Sequence, residues 1–200
     1  HNRAVFNPSF SLGWRLSEES WFKNITHNIF DELKLRASYG SLANQALDNG
    51  WYVYLSNYST GQNSYLMGGK KNSYVLPGAL VSNIVTWEKV TQWDLGLDFA
   101  VLQSRLQGTF DYYQRATTGM LGPGKILPAI LGAAEPEENA ADMVTRGWEL
   151  SLTWNDQLEN GLHYSLGFNL SDTRAEITKY DNPTKSLSSP YYEGQIISDI

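Results

Sequence analysis

Residues 93–112 read WDLGLDFAVLQSRLQGTFDY, two runs of apolar/polar alternation joined by one tight turn. In the first run Trp93, Leu95, Leu97 and Phe99 share a face, and Asp94, Gly96 and Asp98 share the other. In the second, Leu106, Phe110 and Tyr112 oppose Gln107, Thr109 and Asp111. Successive side chains of a strand point to opposite sides, so each run predicts a strand with one oily and one wet surface.

Four further segments repeat the pattern. Phe6, Pro8, Phe10, Leu12, Trp14 and Leu16 alternate with Asn7, Ser9, Ser11, Gly13 and Arg15; Leu33, Leu35, Ala37 and Tyr39 alternate with Lys34, Arg36, Ser38 and Gly40. Downstream, Trp148, Leu150, Leu152 and Trp154 alternate with Gly147, Glu149, Ser151 and Thr153, with an aromatic residue at each end of the apolar face. Leu162, Tyr164, Leu166, Phe168 and Leu170 then alternate with His163, Ser165, Gly167, Asn169 and Ser171. The six predicted strands have about the 9–11 residues with which a tilted strand crosses an outer membrane.

The connections alternate in length. The turn at 102–104 and the turn at 156–161 are short, whereas 42–86 and 121–145 are long. Tight turns on one side and extended loops on the other are the habit of outer-membrane barrels. Trp21, Ile25 and Ile29, behind an N-cap expected at Ser17, predict a short helical piece in the first connection. Trp51, Tyr52 and Tyr54 suggest a further short strand within a loop rich in Gly, Asn, Ser and Tyr. Pro123, Pro128 and Pro136 rule out a continuous helix across the next loop, and the stretch after Ser171 reads as a third long loop. No internal domain boundary is visible.

Composition narrows the function classes. Seven Trp and twelve Tyr suit strands and membrane interfaces, where an amphipathic ring sits half in lipid and half in water. No apolar run is long enough for a transmembrane helix, which says nothing against strands that are apolar on alternate residues only. A net charge of −6 without a Lys/Arg cluster argues against nucleic acid as a partner. Absence of cysteine excludes a disulfide scaffold, a thiolate metal site and a thiol nucleophile. The chain opens directly on a strand pattern and stops without an evident terminal element, so it is expected to be an excerpt of a longer protein.

Catalytic motifs are scarce. The three histidines, His1, His27 and His163, form no HExxH pair, and no GxSxG elbow occurs. Gly68, Gly69, Lys70 and Lys71 lack the upstream glycine and the following Ser/Thr of a phosphate loop and read as a loop tip. Glu88, Asp94, Asp98, Asp111 and Glu149 are expected to line a wet lumen and pair with Arg15, Lys34, Arg36, Arg105 and Arg115 across neighbouring strands, rather than to act as an acid/base pair. The aromatics Trp51, Tyr52, Tyr54, Tyr58 and Tyr65 are the candidate ligand-binding residues, by stacking on a sugar ring or contacting a peptide, against the alternative of loop self-packing. The tripeptides at Asn24, Asn57 and Asn169 read as chance sequons. Neither an enzyme nor a cofactor or metal is expected.

Five phrases carry a family resemblance: NPSFSLGWRLSEESWFK, FDELKLRASYGSLANQ, TWEKVTQWDLGLDFAVLQSRLQGTFDYYQRAT, LPAILGAAEPEENAADMVTRGWELSLTWND and YSLGFNLSDTRAEITKYDN. Together they resemble the barrel region of the SusC/RagA family of TonB-linked outer-membrane proteins of Bacteroidetes, over nearly the whole chain except 48–82. The resemblance implies an all-β, antiparallel up-and-down barrel of about 22 strands with a plugged lumen. Residues 1–200 would be part of that barrel domain, in the bacterial outer membrane and in contact with its lipid. It further implies import of glycan fragments or peptides with a SusD-like surface lipoprotein and the TonB complex. The plug domain and the TonB-contacting parts lie outside these 200 residues, and six strands cannot close such a barrel. A soluble β-sandwich carbohydrate-binding module is the rival reading, because one apolar face per strand is equally expected there.

Overall fold

The computed structural model describes residues 5–26, 29–44, 55–78, 80–82, 85–124, 127–132, 136–182, 185–186 and 191–197. In chain order the elements are β1 (Ser9–Arg15), a 3-10 turn (Leu16–Glu18), α1 (Ser20–Thr26), β2 (Phe30–Asn44), β3 (Tyr58–Met67) and β4 (Lys70–Pro77). There follow β5 (Glu88–Val101), β6 (Leu106–Pro123), a second 3-10 turn (Ala129–Leu131), β7 (Glu137–Gln157), β8 (His163–Lys179) and β9 (Ile196–Ile197). One seven-stranded antiparallel sheet runs β1-β2-β5-β6-β7-β8-β9, and β3 and β4 pair apart from it as a hairpin.

Register turns the alternation into continuous rows. Trp14, Leu35, Leu97, Phe110, Leu150 and Leu170 are successive partners across six strands, forming one apolar line. On the opposite face Gly13, Arg36, Gly96, Asp111, Glu149 and Ser171 form the adjacent polar line. A slip of one residue anywhere would exchange the faces, so the apolar pattern enforces this pairing.

The outer edge of the apolar band descends across the sheet. Its last large apolar residues are Tyr39 on β2 and Trp93 on β5, which are partners, then Tyr112 and Trp148, one row lower, and then Leu170 on β8, one row lower again. That is about one residue per strand, or roughly 3.3 Å of rise over a strand spacing of roughly 4.8 Å, a tilt of about 35°. A flat hydrocarbon slab crossing tilted strands leaves this diagonal, and the angle matches that of closed membrane barrels. Ring contacts line the edge, with Phe10 and Tyr39 5.2 Å apart and Trp93 and Tyr112 5.5 Å apart. At the turn end Trp154 Nε1 donates to Tyr164 Oη, a second aromatic border.

Few hydrophobic side chains are buried among the described residues. Ala100 and Ile177 are the buried hydrophobic residues among those described, while Leu12 is 72% and Leu166 64% exposed. The chain exposes 14860 Å², against about 9,500 Å² for a soluble folded chain of its mass. A β-sandwich would bury its apolar face under a second sheet, and no second sheet covers this one among the described residues. Among the described residues the apolar face is thus left open, as a lipid-facing wall would leave it.

Four local expectations are corrected. Ser17 does not cap a helix: it lies within the 3-10 turn, with its buried Oγ unpartnered, and α1 begins at Ser20. The connection expected at 121–145 is shorter, because β6 continues to Pro123 and β7 starts at Glu137. Likewise β8 continues to Lys179, past Ser171. In these extensions the apolar alternation fades while the backbone ladder persists. Finally, 58–77 form the β3–β4 hairpin, whose tip is Gly68 and Gly69, both with left-handed φ of 61° and 76°. This Gly-Gly pair between two strand-like runs is the turn signal that the phosphate-loop comparison passed over. The short strand suggested at Trp51, Tyr52 and Tyr54 lies outside the described residues.

The β5–β6 turn holds three consecutive non-glycine residues in the left-handed region, Leu102, Gln103 and Ser104, at φ 59°, 61° and 60°. Asp31 Oδ2 accepts the Ser104 backbone N–H at 2.7 Å, so β2 clamps the turn in this conformation. Gln103→Gly removes the Cβ penalty of about 1–2 kcal/mol at the expense of some chain entropy, and is expected to stabilise the full-length barrel by about 0.5–1 kcal/mol. Denaturant unfolding of the refolded receptor in vesicles reads the shift; an unchanged or lowered midpoint would show that the turn is unstrained.

Candidate functional site

The polar face of the sheet carries a charge network centred on Arg36. Its Nε donates to Asp98 Oδ1 and Oδ2 at 3.0 and 2.9 Å, and its Nη2 donates to Asp98 Oδ1 and Asp111 Oδ1, each at 2.8 Å. Asp98 sits on β5 and Asp111 on β6, so the guanidinium spans three strands. The span is possible because the residue between Arg36 and Asp111 in the row is Gly96. A methyl placed there would lie 2.6 Å from the guanidinium carbon and 2.5 Å from Asp111 Oδ1. These three side chains are 25–32% exposed.

Around this centre the wall is mostly acidic. Glu149 is the direct partner of Asp111 across β6–β7, and Asp94 pairs with Ser38 and Tyr113. Like charges placed opposite each other repel, and Arg36 bound to Asp111 offsets part of that repulsion. Tyr113 extends over Gly147 to donate to Thr173 Oγ1 at 3.5 Å, repeating the device of a long side chain lying over a glycine. Such an arrangement fixes polar groups along a wall; it contains no nucleophile with a base. No group of His, Cys, Asp and Glu able to hold a metal occurs among the described residues.

Of the expected cross-strand pairs, Arg36 with Asp98 and Asp111 forms. Arg15 instead approaches Glu32 at 3.6 Å, and Arg105 approaches Asp156 at 3.5 Å. Residue types announced that pairs would form, but which ones depended on register.

The candidate ligand-binding aromatics lie elsewhere. Tyr58 opens β3 and is 73% exposed; Tyr65 lies near the hairpin tip and is 60% exposed. Seven residues of extended strand separate them by roughly 23 Å, so they do not form one aromatic platform. Trp51, Tyr52 and Tyr54 lie outside the described residues. The hairpin also exposes Leu66, Met67, Val75 and Leu76, an apolar contribution that the aromatic reading missed.

Comparison with known proteins gives these surfaces a setting. Residues 1–198 match the family model described as "TonB dependent receptor-like, beta-barrel". The chain is 31% identical over 193 residues to TonB-dependent receptor SusC of Bacteroides thetaiotaomicron, covering 96% of this chain and 18% of that protein. It is 28% identical over 179 residues to TonB-dependent receptor P3 of Formosa agariphila, covering 90% of this chain and 17% of that one. The chain thus spans less than a fifth of the length of these curated relatives. Among solved structures, it overlays the RagAB peptide transporter with a TM-score of 0.72 at 24% identity, covering 90% of this chain and 19% of that one. The RagAB importer in its "open-open" state gives 0.73 at 23% identity, with 91% and 19% coverage.

Proposed function

Since the chain belongs to the TonB-dependent receptor-like β-barrel family of the outer membrane, we propose that it forms part of the wall and outer loops of a nutrient importer. The observation that carries this reading is the combination, in one sheet, of a tilted lipid-facing apolar band with a polar inner face pinned by Arg36. Residues 1–200 are a part of the barrel domain, with six main strands, and the plug that fills the lumen comes from other parts of the receptor. The wall's work is to hold its shape and offer a wetted, charge-lined path.

Cargo is a glycan fragment or a peptide, captured beneath a SusD-like lipoprotein and moved with energy from the TonB complex. The similarity to SusC and the overlay on a peptide transporter support this class of partner and cargo. Trp51, Tyr52, Tyr54, Tyr58 and Tyr65 contact the cargo on the outer side, a reading supported by the exposure of Tyr58 and Tyr65.

Deletion of the full-length receptor gene, followed by growth on a panel of glycans and peptides, tests the reading. Loss of growth on one class, restored by the intact gene, is the expected result; undiminished growth and uptake across the panel would overturn it. In the restored strain, Tyr58→Ala and Tyr65→Ala are each expected to weaken uptake by about 2- to 10-fold, since one aromatic contact contributes roughly 0.5–1.5 kcal/mol. Unchanged uptake in both variants would remove these residues from the cargo contact.

A further inference from the structure

Immediately beyond the aromatic edge, on the lipid-facing side of the sheet, two arginines stand opposite each other. Arg146 on β7 and Arg174 on β8 are direct register partners, and Gln114 on β6 completes their row. The next row inward is Tyr112, Trp148 and Asp172. Both arginines are exposed. Two like charges placed opposite on a strand pair repel, an arrangement that an anion between them would relieve.

Gln114 Oε1 accepts from Arg146 Nε at 2.9 Å, which orients this guanidinium and leaves its two terminal nitrogens for another acceptor. Asp172 and Glu176, the acids on the same face of β8, lie one pair position to either side of Arg174, about 7 Å along the strand. Neither forms an ion pair with Arg146 or Arg174 within 4.0 Å among the described residues.

Position identifies the anion. Aromatic rings of a barrel sit at headgroup level, so a row just outside Tyr112 and Trp148, on the side of the long connections, lies among the headgroups of the outward leaflet. We propose that Arg146 and Arg174 together bind the phosphate of a phosphorylated lipid headgroup in that leaflet. Guanidinium groups suit the task, because their forked N–H donors match phosphate oxygens. The site rests on the membrane placement of the sheet and is independent of what the barrel carries.

Native mass spectrometry of the full-length receptor in detergent, titrated with monophosphoryl lipid A or with its dephosphorylated counterpart, tests the site. Retention of the phosphorylated lipid is expected to exceed that of the other by about tenfold, and Arg146→Gln with Arg174→Gln should abolish the difference. Each variant is first shown to migrate as a folded, heat-modifiable barrel, and nutrient uptake is measured in parallel and should be retained. Equal retention of the two lipids by the wild type, or an undiminished preference in the double variant, would overturn the proposal. So would inorganic phosphate alone raising the thermal unfolding midpoint as far as the lipid does, since that marks a site for free phosphate.

Discussion

Leu97→Arg, introduced into the full-length receptor, is expected to lower the stability of the refolded barrel in lipid vesicles by about 2–4 kcal/mol. Leu97 lies in the middle of the apolar row, between Leu35 and Phe110, with Leu95 and Phe99 on the same face of its own strand. A guanidinium there has no aqueous neighbour on the lipid side and must snorkel past a residue pair to reach water. Thr109→Arg is the matched control: Thr109 is one residue from Phe110, on the opposite face, and directly across from Asp98. Its arginine meets a carboxylate and water, and the variant should retain wild-type stability. Denaturant titration of both variants decides the matter. Equal losses, or a larger loss at Thr109, would reverse the assignment of lipid and inner faces.

Gly96→Leu should produce a loss of similar size from the other face. The side chain would occupy the space through which Arg36 reaches Asp111, where even a methyl lies within 2.7 Å of three polar-group atoms. Either the leucine adopts a strained conformation, at about 1–3 kcal/mol, or Arg36 withdraws and a charge-assisted contact of about 1.5–3 kcal/mol is lost. With withdrawal, Asp111 and Glu149 would face each other without their cation. The total expected is about 2–5 kcal/mol. A double-mutant cycle separates this mechanism from general disruption of the strand. In an Arg36→Ala background the guanidinium is already absent, so Gly96→Leu should add little. Additive losses would show that the glycine serves some purpose other than making room for Arg36.

Both experiments exploit a division between what was legible along the chain and what was not. The apolar face of each crossing strand was legible because period two is local: Leu95, Leu97 and Phe99 share a side whatever pairs with them. The strands' extensions past the membrane were not legible. At 171–179 and 137–145 apolar and polar residues cease to alternate, and the pattern that marks a strand disappears though the hydrogen-bonded ladder does not. The β3–β4 hairpin escaped for a related reason, since Leu66, Met67 and Val75 on an exposed ribbon follow no buried face. Its one strong local mark was Gly68-Gly69.

The amino-acid sequence by itself determined the strand class, the two chemically distinct faces and the alternation of short and long connections, because each follows from neighbours a few residues apart. Only the tertiary structure decided that Arg36 would meet Asp98 and Asp111, 62 and 75 residues away, that Gly96 would be the gap it crosses, and that Arg146 would face Arg174. The physical reason is that pairing register is a property of whole strands: the apolar rows align first, and the polar partners are whichever residues that alignment brings together.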